Sequence, residues 1–297
     1  IVLFMPLAIY ALARGNSPSN PGGWSAPEVI GCFIVAGAAL AWFIVAELRN
    51  PAPLLQIRLL AERNFGISMA VLTLFAIGML GGTYLLPLYM QRGLGYTALA
   101  AGSMFLPVGV IQGVLSAVSG YLTRYVRPLL LSAAGILIMA LSFWLASRFT
   151  LHTTHGHILF ILYLRGFGMG LTFAPLNLFS LKNLTQQDMA AAAGISNSIK
   201  QLAGSIGIAL LTVIFSARTS YHAAHETVSA AQTYVEGVTD ALRVVAVITL
   251  AALLPLLGVF RKKRPGKSGV KGAATPSPGE AVSGKTDKTT IYRTKPE

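Results

Sequence analysis

Charge is what this sequence has least of. Asp, Glu, Lys and Arg make up 11% of its 297 residues, against 54% that are hydrophobic; a soluble domain carries about 25% charged residues. So little polar surface excludes a fold that keeps its outside in water, and the mean hydropathy of +0.64 agrees. Acid is scarcer still, with 10 Asp and Glu against 23 Lys and Arg. In a soluble protein a net charge of +13 would raise nucleic acid as a partner, but here the excess is local. Ten of the cations lie between Arg261 and Lys295 beside three acids (Glu280, Asp287, Glu297), so the tail supplies +7 of the +13. Tyr292 is the one aromatic residue among them and no nucleic-acid module pattern is present, so no nucleic-acid partner is expected.

Cys32 is the only cysteine and lies in an apolar run, which excludes an intrachain disulfide and a thiolate metal centre. There is no nucleophile elbow, phosphate loop or paired-carboxylate site, so neither an enzyme nor a cofactor is expected. The cluster His152, His155 and His157 falls in a polar loop without acid or thiol beside it and reads as solvated histidine, not as a metal site. The chain opens at Ile1, without Met or signal peptide, inside an apolar stretch too short to span a bilayer. That opening predicts a sequence truncated at its N-terminus.

What the sequence has instead is apolar blocks of 20 residues or more, long enough to cross a hydrocarbon core about 30 Å thick. One partial segment, Ile1–Ala13, precedes seven full ones: Glu28–Glu47, Phe65–Met90, Ala98–Leu122, Pro128–Ser147, Ile158–Leu181, Ala190–Ser216 and Asp240–Phe260. The predicted fold class is therefore all-α and transmembrane. Lys and Arg on alternate loops divide sixteen (Arg49, Arg58, Arg63, Arg124, Arg127, Lys182 and the ten of the tail) against four (Arg14, Arg92, Arg148, Arg218). The positive-inside rule then puts the C-terminus in the cytoplasm of a multi-pass protein. After Phe260 the composition turns to Lys, Gly, Pro, Ser and Thr, which predicts a disordered basic tail over 261–297.

Within the membrane, small residues recur every four positions at Gly78 and Gly82, Gly109 and Gly113, and Gly166 and Gly170. That spacing makes smooth faces for close helix packing, with or without sliding. In Ala190–Ser216, Gly194, Asn197, Ser198, Gln201, Gly204 and Ser205 share one face at 100° per residue. Amides in hydrocarbon need partners or water, so this face meets either interhelical hydrogen bonds or a polar substrate path. Arg165 stands two turns into its segment; it is either a functional intramembrane charge or an interfacial arginine. Asn177 follows on the same helix beyond Pro175, Gln112 sits mid-helix, and Tyr84 and Tyr89 also fit an aromatic belt. No acid is expected deep in any helix, since Glu28, Glu47, Asp188 and Asp240 all fall at ends.

Four stretches carry a resemblance. They are Tyr84-Leu-Leu-Pro-Leu-Tyr-Met-Gln91 with Gly95–Gly102 and Pro107-Val-Gly109; Leu164-Arg-Gly-Phe-Gly-Met-Gly170 with Pro175; Ala193–Gly207; and Pro53–Leu60 before Asn64-Phe65. In this order the chain resembles the C-terminal half of an EmrB/QacA-type exporter, the fourteen-helix drug:proton antiporter branch of the major facilitator superfamily. The resemblance implies two linker helices in 1–48, a cytoplasmic loop in 49–64, and a six-helix transporter half in 65–260. It implies efflux of drugs or other amphipathic small molecules by proton antiport and alternating access. Export of one physiological solute, or a non-transporting scaffold, stands as the alternative. It places the protein in the plasma (inner) membrane with lipid, a small-molecule substrate and protons as partners, and a periplasmic adaptor protein if the source is Gram-negative. It shifts Asn197, Gln201, Gln112 and Asn177 towards the central cavity. Gly120-Tyr-Leu-Thr-Arg-Tyr-Val-Arg127 keeps the glycine and basic residues of the superfamily's loop motif but lacks its aspartate. The proton-binding carboxylate is expected in the half this sequence does not contain.

Overall fold

Backbone groups in hydrocarbon have no water to bond, so apolar blocks must close their hydrogen bonds locally, as helices. The computed structural model describes residues 10, 11, 14, 26–49, 57–225 and 229–262. Helices follow one another as α1 (Pro27–Arg49), α2 (Arg63–Leu88), α3 (Ala98–Ser103), α4 (Leu106–Leu122) and α5 (Pro128–Ala146). Then come α6 (His155–Leu181), α7 (Met189–His225), α8 (Ala230–Ala251) and α9 (Leu253–Lys262). No strand occurs among the described residues. Six rods are long and apolar enough to cross a bilayer: Arg63–Gly93, Ala98–Leu122, Pro128–Ala146, His155–Leu181, Met189–Ala223 and Ala230–Gly258. Their order is that of the six segments expected between Phe65 and Phe260. The partial segment Ile1–Ala13, the loop after it and the basic tail lie outside the described residues except for Tyr10, Ala11, Arg14, and Arg261 and Lys262 at the end of α9.

Local chemistry explains the punctuation. Pro87 removes the donor that would meet the Thr83 carbonyl, and α2 runs on into a π turn, Tyr89–Gly93. Gly95, at φ +73°, reverses the chain, and the Thr97 side chain caps α3 by accepting from the Ala100 N–H at 3.2 Å. Pro107 in the first turn of α4 follows a break at Met104–Phe105, so the expected Ala98–Leu122 segment is two helices in line. Pro128 starts α5, and Ser229 caps α8 from the Gln232 N–H at 3.3 Å. The largest departure is where the last two spans are joined, at the end of α7 and the start of α8. α7 runs 37 residues, about 55 Å at 1.5 Å per residue, so it overshoots the hydrocarbon. α8 begins at Ala230, which places Asp240 inside a helix and not at its end.

α2, α5, α6 and α8 pack on one another at the centre, while α4 leans on α6 and α7 leans on α2 and α8. Phe75 of α2 meets Phe173 of α6 edge-on at 5.5 Å. The closest approaches are at glycine. A Cβ on Gly168 of α6 would lie 2.8 Å from the Met139 N and 2.9 Å from the Gly135 carbonyl oxygen of α5. One on Gly170 would lie 2.6 Å from Leu115 Cβ and 3.0 Å from the Gln112 carbonyl oxygen of α4. One on Gly207 of α7 would meet the backbone of Ile77 in α2, with Gly81 opposite Leu211 one turn on.

Gly168 is opposed by backbone, which cannot step aside as a flexible side chain can. Gly168→Ala is therefore expected to destabilise the protein by about 1–3 kcal/mol through forced separation of α5 and α6. Gly258→Ala, where a Cβ meets nothing within 4 Å, should melt at or slightly above the parent temperature. Thermal unfolding of both variants in lipid nanodiscs checks the contrast; equal melting would show that the α5–α6 crossing is not tight.

Candidate functional site

Arg165 enters the bundle from α6, ten residues after the helix begins, and is only 3% exposed. Its Nη2 donates to the Met79 carbonyl of α2 at 3.2 Å and to the Thr83 hydroxyl one turn further on. The guanidinium carbon stands 5.6 Å from the centre of the Phe143 ring of α5, within cation–π range. Phe143 reaches that position because Gly82 has no side chain against its ring edge. Nε and Nη1 are buried and have no hydrogen-bond partner among the described residues, and no carboxylate pairs with the charge. Arg165 is an internal cation shared by three helices.

The other sequence candidates spread along the depth of the bundle. Tyr84 is 39% exposed near the C-terminal end of α2, whereas Tyr89 is fully buried. Tyr89 donates its hydroxyl proton to the Thr150 carbonyl at 2.7 Å and stacks on Phe149 at 4.9 Å, so it is a strut and not a belt residue. Gln112 is half-buried in α4, and Asn177 is exposed four residues before the C-terminal end of α6. Asn197 and Gln201 are exposed on α7, with Ser198 and Ser205 half-buried beside them. Gly204, on the same face, is buried against Leu80 of α2.

The paired glycines divide by what lies opposite. Gly78 faces Thr249 of α8 and Gly82 faces Phe143; Gly166 would put a Cβ 3.1 Å from the Val108 carbonyl oxygen, and Gly170 packs on α4 as described above. Gly109, Gly113 and Gly194 meet nothing within 4 Å. Thus the flanking spans α4 and α7 carry exposed small residues at Gly109, Gly113 and Gly194, and α7 adds the exposed amides Asn197 and Gln201. His155 and His157, expected in a loop, fall in the first turn of α6; His155 tilts against Tyr96 and His157 against Phe149, and no metal-binding group occurs among the described residues. Sequence reading missed the partners of Arg165. Thr83 and Phe143 lie 82 and 22 positions upstream, and neither carries a local signal of that contact.

The Major Facilitator Superfamily model matches residues 1–208. The multidrug export protein EmrB of Escherichia coli (strain K12) is 32% identical over 207 residues, 69% of this chain and 40% of EmrB. The fatty acid resistance protein FarB of Neisseria gonorrhoeae is 30% identical over 195 residues, 66% of this chain and 38% of FarB. The uncharacterized MFS-type transporter YhcA of Bacillus subtilis (strain 168) is 30% identical over 212 residues, 71% and 40% of the two chains. The chain thus spans about two fifths of the length of these relatives.

For Arg165 the energetics make a separable prediction. Burial of an ion costs several kcal/mol; two charged hydrogen bonds and a cation–π contact return about that much. Replacement by methionine orphans no partner, because the Thr83 hydroxyl already donates to the Met79 carbonyl at 2.6 Å. Arg165→Met should therefore change stability by less than about 1 kcal/mol. Thermal unfolding decides; a large drop would make the arginine a structural tie.

Proposed function

The chain belongs to the major facilitator superfamily, and on that premise we propose that its six-helix bundle is one half of an exporter of drugs or other amphipathic small molecules. The observation that carries this reading is the uncovered amide face of α7, Asn197 and Gln201 with Gly194, together with the bare Gly109 and Gly113 of α4. Such faces suit a second half across a central path and do not suit lipid. Residues 65–260 would form the transporter half, 1–48 the linker helices, 49–64 a cytoplasmic loop and 261–297 a cytoplasmic tail. Asn177, Asn197, Gln201, Gln112 and Tyr84 would line the path, with Arg165 holding α2, α5 and α6 in one working arrangement.

Proton antiport drives export in this proposal, with alternating access by rocking of the two halves. The similarity to EmrB supports drugs as cargo, and that to FarB supports amphipathic acids. A carrier of one such physiological solute is the second reading. A periplasmic adaptor would join the assembly if the source cell is Gram-negative.

Expression of the complete coding sequence in an efflux-deficient host tests the proposal. It should lower accumulation of several lipophilic dyes, and Arg165→Ala should reduce that export at least tenfold while abundance falls less than twofold, a loss of roughly 1.4 kcal/mol or more. Unchanged dye accumulation and resistance across a broad panel would rule out drug export. Heat protection by a single solute, with drugs inert, would favour the second reading.

A further inference from the structure

The facing ends of α7 and α8 hold a group of charges that the transport reading does not use. His222, near the end of α7, has a side chain only 16% exposed. Opposite it, one turn apart on α8, stand Glu236 and Asp240. Both ring nitrogens face a carboxylate: Nδ1 lies 3.5 Å from Glu236 Oε2 and Nε2 lies 3.1 Å from Asp240 Oδ2. The two acids are not equivalent. Asp240 is also met by Arg243 Nη1 at 2.7 Å and Arg218 Nε at 3.9 Å. Glu236 accepts from the Gln232 amide at 3.0 Å through Oε1, while its Oε2 is buried and accepts no hydrogen bond among the described residues. The helices touch directly beside the pair, since a Cβ on Gly237 would lie 3.2 Å from the Thr219 N.

The surroundings bring further groups. The Tyr221 ring stands edge-on to His222 at 5.7 Å. Glu236 also lines a cavity of about 220 Å³ together with His152, Phe149, Gln232 and Val235. Arg92 belongs to the turn after α2 whose Gly93 abuts Val235. No arginine lies within ion-pair distance of Glu236 among the described residues.

A neutral imidazole has one N–H and one lone pair, so it can donate to only one of two carboxylates and turns its lone pair on the other. A second proton makes both contacts attractive. Asp240 keeps its two arginines whichever form the ring takes, whereas Glu236 depends on the ring. We propose that His222 and Glu236 form a proton-binding site whose occupancy latches α7 to α8 at the outer side of the membrane. The ligand is a proton taken up by the ring; no other bond forms or breaks. With the proton bound, the ring bridges the two helices; without it, the Glu236 side of the bridge is lost. That the site faces outwards rests on the orientation proposed above, but the latch itself does not.

The test is a double-mutant cycle of His222→Gln and Glu236→Gln, read by thermal unfolding of the full-length protein in nanodiscs at about pH 5 and about pH 8, either side of the ordinary imidazole range. Coupling between the two positions should appear at the lower pH as a shift of about 2–4 °C and vanish at the higher. Coupling of equal size at both values would make the contact a plain hydrogen bond, and no coupling at either would remove it; both overturn the proposal. If a variant does not fold, hydrogen exchange on the wild type takes its place, corrected for the intrinsic effect of pH. Protection over 230–240 should fall several-fold from the lower to the higher pH, and equal protection overturns the latch. Neither readout needs transport, so a failed export assay and a failed latch are told apart.

Discussion

Helices already in lipid gain little from touching one another through apolar side chains, because hydrocarbon is as good a neighbour as leucine. What holds this bundle is therefore close approach. At Gly168 and Gly135 the backbones of α5 and α6 come near enough that a single methyl group would force them apart. Gly207 does the same for α7 against α2, and Gly170 for α6 against α4. The central helices follow from these crossings. So does the position of Arg165, since the absence of a side chain at Gly82 lets Phe143 reach the guanidinium. The close helix crossings and the setting of the buried Arg165 both depend on glycine.

Charge is handled in three ways, and the differences are informative. Cations between spans, such as Arg124 and Arg127, stay exposed, where a long side chain can reach polar surroundings. The far ends of α7 and α8 gather carboxylates and cations into a mutual network, which partly offsets desolvation by pairing. Among the described residues Arg165 meets no carboxylate, only a carbonyl, a hydroxyl and a ring face. An ion held by dipoles alone gains little net stability.

Much of this was legible in the sequence, for a simple reason: block length against bilayer thickness is a robust measure, and the six spans fall where the apolar blocks do. Helix ends were less legible. The stretch from Ala217 to His225 reads as polar loop, yet α7 continues through it because Thr219 and His222 pack on Gly237 and Asp240 of α8, a contact visible only in three dimensions. Asp240 was expected at a helix end for the same reason. Small-residue spacing had a similar limit. Gly109 and Gly113 have the same spacing as Gly166 and Gly170, but only the second pair has a neighbour. Periodicity says that a face is smooth; it does not say what lies against it.

The exposed faces can be weighed directly. Asn197 and Gln201 lie one turn apart on α7, and Asn177 is exposed on α6. A neutral amide left unpaired in hydrocarbon costs about 2–7 kcal/mol, so three such groups facing lipid would cost on the order of 10 kcal/mol. That is comparable to the whole net stability of a typical domain, about 5–15 kcal/mol. Exposed apolar residues need no such account: Val110, Val114 and Val118 of α4 and Ile206 and Leu210 of α7 are at ease against acyl chains. One helix surface therefore carries two kinds of exposure with opposite preferences. The valine and isoleucine faces suit lipid. The amide face is tolerable only against water or polar protein, and the bare glycines beside it leave room for either.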